Sequence, residues 1–275
     1  MFPLKDNIQA RRFPVLTVAL IAINVIVFFG FEVTGISLDG AKTDSERVVE
    51  YGLIPYELTN PGENCGVVTQ EGVNSQGMIV QQQGVACQGK DGFDAPVPDQ
   101  RPVWITIFTA MFMHGGLLHI AGNMLFLWIF GNNIEDSMSR WRFIAFYLAG
   151  GIAASLAQVA IDPSSTVPTI GASGAIAAVL GGYAILYPRA RVVTMIFIIF
   201  FFTVIELPAL LVLGAWFLLQ LFYGSADLTS PVSGGGGGVA YFAHIGGFVA
   251  GMILIKVFAN RIHYDYEQPQ RLPVY

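Results

Sequence analysis

Charge is what this chain has least of. Asp, Glu, Lys and Arg make up only 12% of its 275 residues, about half the share of an ordinary soluble domain. Several stretches as long as a hydrocarbon core is thick, about 17 to 25 residues, carry no charge at all. That shortage argues against a water-soluble globular core and for apolar helices that cross a membrane repeatedly. There is no basic excess either: the formal net charge is −5, which argues against a nucleic-acid partner. Cysteine is nearly missing, Cys65 and Cys87 being the two present. No internal repeat and no second domain can be found.

What is abundant is apolar sequence, in six runs: Phe13–Val33, Gly115–Ile134, Phe143–Ile161, Ile170–Tyr187, Leu207–Phe222 and Tyr241–Phe258. They predict an all-α bundle of six transmembrane helices. A further stretch, Val192–Ile205, is short for a span and is read as lying along the inner interface or as extending the fifth span. With the N-terminus inside, Lys5, Arg11, Arg12, Arg140, Arg142, Arg189, Arg191, Lys256, Arg261 and Arg271 fall on inner segments. Only Lys42, Arg47, Lys90 and Arg101 fall outside, an asymmetry that favours both termini in the cytoplasm. The Arg11-Arg12 pair ahead of the first run is read as flanking a retained anchor, because no small-residue cleavage site follows.

The expected organisation is a cytoplasmic start (1–12), a first span (13–33), an external loop (34–101), a helical core (102–258) and a cytoplasmic tail (259–275). The loop is rich in Gly, Gln, Asn and Pro and is acidic. Outside the cell it permits a Cys65–Cys87 disulfide, the alternative being two free thiols in a mobile loop. Tyr223–Ala240, between the last two spans, contains the unbroken row Gly234–Gly238, which reads either as a flap over a site or as a plain flexible linker. Glu206, just before Leu207-Pro208, marks the inner interface where the fifth helix begins, and Pro208 suits its first turn.

Parity gathers the polar residues. Spans two, four and six all run from outside to inside. Ser173 opens span four, His244 opens span six, and His114, His119 and Asn123 stand at the start of span two, so all five share the outer leaflet. Polar groups at that depth are costly and are read as functional. His119 and Asn123, four residues apart, point to one face of a helix. Gly247 and Gly251 give span six a small face that lets another backbone approach, and a neighbour opened by Gly171 and Gly174 would put Ser173 within reach of His244.

Such a cluster suits acyl transfer. A serine hydroxyl needs a base to take its proton, and a neutral imidazole is the usual one. Backbone N–H groups at the start of span four, with the His119 and Asn123 side chains opposite, would meet the developing oxyanion. No Asp or Glu near the outer ends of these spans is available to orient the histidine, so a Ser-His dyad is expected rather than a triad. Each element alone is weak: a lone membrane Ser commonly bonds back to a carbonyl, and a lone His packs or bridges helices. The His114-x4-His119 spacing lacks the one-face geometry and the Glu of the zinc-protease motif, so no metal is expected.

The ordered set His114-x4-His119-x3-Asn123, Gly171-Ala172-Ser173-Gly174 and Ala243-His244-x2-Gly247-x3-Gly251 resembles the rhomboid family of intramembrane serine proteases, over roughly residues 102 to 258. The resemblance implies Ser173 as nucleophile and His244 as general base, with His119, Asn123 and the Ser173 backbone as the oxyanion hole. It implies a supporting role for His114 at a water-filled mouth. It further implies a six-helix core in a prokaryotic plasma membrane, a site opening outward, single-pass transmembrane proteins as substrates, and no cofactor. Two positions depart from the family pattern. Ala177 stands where an aromatic commonly packs on the histidine, a role that Phe242 or Tyr183 would have to fill, and Trp104-Ile105 stands where Trp-Arg is common. A catalytically silent relative that escorts membrane helices is the second reading. A small transporter is a third, although it calls for mid-span charges and paired interrupted helices that are not found.

Overall fold

A computed structural model describes residues 2–37, 40–73, 79–90, 101–198, 201–229 and 239–261. The chain begins with a strand, β1 (Phe2–Asp6), and then enters α1 (Val15–Val27), which ends in a π-helical turn, Phe28–Glu32. The loop that follows folds into β2 (Val33–Ser37), β3 (Gly40–Thr43), α2 (Ser45–Tyr51), α3 (Pro55–Thr59), β4 (Cys65–Val73) and β5 (Ile79–Cys87). A short helix, α4 (Val103–Thr109), leads through a 3-10 turn to α5 (Leu117–Asp136), α6 (Arg140–Ile161) and α7 (Ser173–Leu186). The hairpin β6 (Arg191–Ile198) and β7 (Phe201–Pro208) precedes α8 (Ala209–Thr229) and α9 (Tyr241–Phe258).

Five of these helices are long and apolar enough to cross a membrane: α1 with its π turn, α5, α6, α8 and α9. The expected fourth span is α7, which has only 14 residues, about 21 Å of helix. It is sheathed by protein, since every residue from Gly174 to Ala184 is buried, and a helix that does not face lipid need not match the thickness of the hydrocarbon. Glycines let its neighbours close in. A Cβ at Gly150 of α6 would overlap Ala178, and one at Gly251 of α9 would overlap the Ala178 carbonyl.

The chain is mostly helical, and among the described residues three small antiparallel sheets qualify the all-α expectation. Val192–Ile205 is not an extension of the fifth helix but most of the β6–β7 hairpin, to which β1 adds as a third strand in the order β1-β6-β7. β-Branched and aromatic residues at Val192, Val193, Thr194, Phe201, Phe202 and Thr203 suit a strand better than a helix. The bend returns the chain so that α8 starts at Ala209, one residue past Pro208. Glu206 lies across the hairpin from Arg191, 3.9 Å from its guanidinium. Asp6 of β1 fixes this sheet to the bundle, accepting hydrogen bonds from Tyr183 Oη at 2.6 Å and Asn133 Nδ2 at 2.7 Å. At the same end, Glu135 caps the orphan N–H groups that open α1, accepting from Leu16 at 3.0 Å and Thr17 at 2.8 Å.

The loop between the first two spans is structured. Cys65 and Cys87 are joined in a disulfide that pairs the ends of β4 and β5, so the free-thiol alternative falls. Closing a loop with a sequence separation of 22 stabilises such a hairpin by about 3 kcal/mol in the chain-entropy account. Glu57 of α3 accepts the Cys65 N–H at 2.7 Å and is 5% exposed; burial pushes its carboxyl up to about 7. This module is tied to the segment that leads into α7 by reciprocal backbone bonds between Leu53 and Thr169, 2.8 and 3.1 Å. α8 runs on to Thr229, beyond the expected end of the fifth span. The Gly234–Gly238 row lies outside the described residues.

Candidate active site

Gly171 is where the site is built. Its φ of +124° turns the chain into α7, whose first residue is Ser173, and a Cβ there would lie 2.8 Å from His119 Nε2. The site needs both glycine's conformation and its lack of a side chain. Being first in the helix, Ser173 has a backbone N–H with no acceptor inside α7. α9 lies against α7 with no side chain between the two backbones at Gly247, whose Cβ would overlap the Gly174 carbonyl. Gln158 of α6 steadies the start of α9 by accepting the Ala243 N–H at 3.2 Å.

The close approach brings His244 Nε2 to 2.7 Å from Ser173 Oγ. Hydroxyl and imidazole are thus in direct hydrogen-bond contact. Both line a cavity of about 870 Å³ together with His119, Asn123, Gly171 and Gly174. His119 Nδ1 accepts the Gly115 N–H at 3.4 Å, which leaves the ring proton on Nε2, the ring atom nearest Gly171. Asn123 Nδ2 is buried and has no partner, a donor left free towards the cavity that its residue lines. Val239 and Ala240, just after the glycine row, also line it, as do Gly40 and Ala41 of β3.

His114 is elsewhere than expected. It is fully buried, with both ring nitrogens unpartnered, and its ring meets His119 edge-on at 5.1 Å between centroids. Its backbone N–H donates to Glu32 Oε2 at 2.6 Å. It therefore backs His119 from inside the protein rather than standing at an open mouth.

The family model described as the Rhomboid domain matches residues 101–261, more than half of the chain. The chain belongs to the rhomboid family. It is similar to "Rhomboid protease GluP" of Bacillus subtilis, 28% identical over 174 residues that make up 63% of this chain and 24% of the relative. It is also similar to "Rhomboid protein 1, mitochondrial" of Saccharomyces cerevisiae, 29% identical over 155 residues, 54% of this chain and 40% of the relative. A shorter match, 36% identical over 86 residues, is to "Rhomboid-related protein 2" of Mus musculus, covering 31% of this chain and 28% of that one. The chain thus spans less than half the length of each of these three relatives. Several apolar helices and the family together make this rhomboid an integral, multi-pass membrane protein.

Two residues of this rhomboid that sequence reasoning passed over complete the site. Ala177 leaves no aromatic on α7 to support His244, and neither Phe242 nor Tyr183 takes that place. Phe242 lies against Gly224 of α8, and Tyr183 turns to Asp6 and Phe130. The supporting ring is Trp216 of α8, 5.7 Å from the imidazole centroid and tilted by 35°. One helical turn further on, Gln220 Oε1 stands 2.8 Å from His244 Nδ1. The signal for both is an indole and an amide four residues apart in the otherwise apolar run Leu207–Phe222, an amide oxygen being able to accept from an imidazole as a carboxylate does. Trp104, at the other departure from the family pattern, is 61% exposed on α4 and does not line the cavity.

Proposed function

We propose that this rhomboid is an intramembrane serine endopeptidase that cleaves single-pass transmembrane proteins within or beside their spanning helix, using Ser173 as nucleophile and His244 as general base. The observation that carries the reading is the 2.7 Å contact between Ser173 Oγ and His244 Nε2 in a cavity that also holds the His119 and Asn123 side chains. As Oγ attacks the scissile carbonyl, its proton passes to Nε2, and the C–O bond forms while the carbonyl π electrons move onto oxygen. That oxyanion is met by the Ser173 N–H, by His119 Nε2–H and by Asn123 Nδ2. Collapse expels the amine, which takes the proton from the imidazolium; water, activated by the same imidazole, then hydrolyses the acyl-enzyme.

A peptide in a regular helix shields its carbonyls with its own hydrogen bonds, so the substrate must unwind locally before attack. Small or helix-breaking residues near the cut ease that step. With both termini in the cytoplasm, as the basic residues favour, the site opens to the external side and water reaches it from there.

The test is co-expression with a panel of tagged single-pass proteins, alongside labelling of the serine with a fluorophosphonate. Ser173→Ala and His244→Ala are expected to abolish cleavage, and Ser173→Ala to abolish labelling, with expression unchanged. Cleavage at the parental rate in either variant refutes the assignment. Labelling also separates an enzyme from a silent helix-binding relative and from a transporter, neither of which needs an activated serine.

A further inference from the structure

We infer that Gln220 of α8 is a positioning residue that holds the proton of His244 on Nδ1, and so presents the Nε2 lone pair to Ser173. The inference rests on the catalytic reading above and deepens it: what was expected to be an unassisted pair is oriented by a neutral amide. A serine is activated only by an imidazole whose facing nitrogen is unprotonated. A ring protonated on Nε2 would donate to the serine oxygen and accept nothing from it, and an imidazole has no intrinsic preference strong enough to exclude that tautomer.

The choice is made one turn away, on the backbone of α8. Gln220 is 8% exposed, and its Nε2 donates to the Trp216 carbonyl at 3.3 Å. Rotating the amide by 180° would set its oxygen against that carbonyl, two acceptors face to face with no proton between them, and would leave its NH₂ facing His244. The orientation that satisfies Trp216 therefore puts Oε1 on His244 Nδ1, 2.8 Å away. A carbonyl oxygen can only accept, so Nδ1 must carry the hydrogen. Nε2 is left as an acceptor, 2.7 Å from Ser173 Oγ. Trp216 acts twice, since its indole also packs on the imidazole and limits rotation of the ring about its own axis. Uncharged Gln220 also spares the cavity the desolvation of a buried carboxylate, which a partner of the usual acidic kind would incur.

Gln220→Met keeps length and volume close to the parent and removes the acceptor; Gln220→Glu restores it. The full-length protein in detergent or bilayer, with ¹⁵N-labelled histidine, reports the tautomer directly, and His244→Ala identifies the resonance. The parent is expected to show protonated Nδ1 and unprotonated Nε2 at His244, and Gln220→Met a mixture of the two. kcat on a single-pass substrate should fall roughly tenfold to a hundredfold in Gln220→Met with KM within about twofold, because only proton transfer is affected. Gln220→Glu should recover most of kcat and move the acid limb of the pH profile upward, since a nearby anion favours the imidazolium. If His244→Ala is inactive while Gln220→Met keeps the parental tautomer and kcat, the positioning role is wrong and the catalytic reading survives. If His244→Ala itself still cleaves, the catalytic reading fails first.

Discussion

Adding one methyl group to α9, two helical turns below the histidine, tests whether catalysis depends on how closely α7 and α9 approach. Gly251 touches neither Ser173 nor His244. A Cβ built on it would overlap the Ala178 carbonyl and lie 2.6 Å from Ala178 Cα, where carbon atoms in contact sit about 3.5 to 4.0 Å apart. The obstruction is helix backbone, which cannot rotate away as a side chain does, so α9 must retreat from α7 by about 1 Å. Carried along a rigid helix to His244, that shift stretches the 2.7 Å contact with Ser173 to about 3.7 Å, beyond a hydrogen bond. A displacement of that size is worth about a hundredfold in rate. Gly251→Ala should therefore lower both substrate cleavage and the fluorophosphonate labelling rate by about two orders of magnitude while the protein still inserts and purifies as a monodisperse species. Gly214→Ala on α8 is the control, because nothing lies within 4 Å of a Cβ there, and it should behave as the parent. Gly251→Ala with parental labelling and cleavage would show that the backbones can part without disturbing the pair, and the packing argument would be wrong.

Asn123→Ala removes a side-chain donor from the cavity and should lower kcat by about a hundredfold to a thousandfold with little change in KM; an effect confined to KM would mean that Asn123 binds substrate rather than the oxyanion. Glu57 makes the external module sensitive to pH. Its carboxyl titrates near 7 in the folded module against 4.5 as its ordinary value, so its contribution is full below about pH 4.5 and is lost as the pH rises through 7, a change of about 3 kcal/mol. Hydrogen exchange in the β4–β5 hairpin should quicken from pH 5 to pH 8 beyond its intrinsic pH dependence, and Glu57→Gln should flatten that excess. Unaltered excess in the variant would place the titration elsewhere.

The helices were legible because lipid leaves the backbone few options. Runs without charge and long enough to span can be little else but helices, and the sixth run, Tyr241–Phe258, coincides with α9 residue for residue. The β6–β7 hairpin was legible only in part: its residues carry strand propensity, but an apolar stretch of that length suits a helix too, and its third strand, β1, comes from the far end of the chain. The loop module likewise depends on pairings between distant residues, such as Leu53 with Thr169.

By itself the sequence determined the class, a polytopic helical protein, and its span order pointed to Ser173 and His244 as residues that enter one leaflet on parallel helices. That expectation rests on counting six spans, of which five are helices long and apolar enough to cross a membrane. Only tertiary structure decided what stands behind the imidazole. Gln220 and Trp216 lie on α8, which runs antiparallel to α9, and no periodicity within either helix says which of their faces meet. The proton on His244 Nδ1 is set by that encounter, through a side-chain amide whose own orientation depends on a carbonyl one turn back. Covalent order puts Ser173 and His244 at the starts of two helices, and packing between helices decides what holds the imidazole.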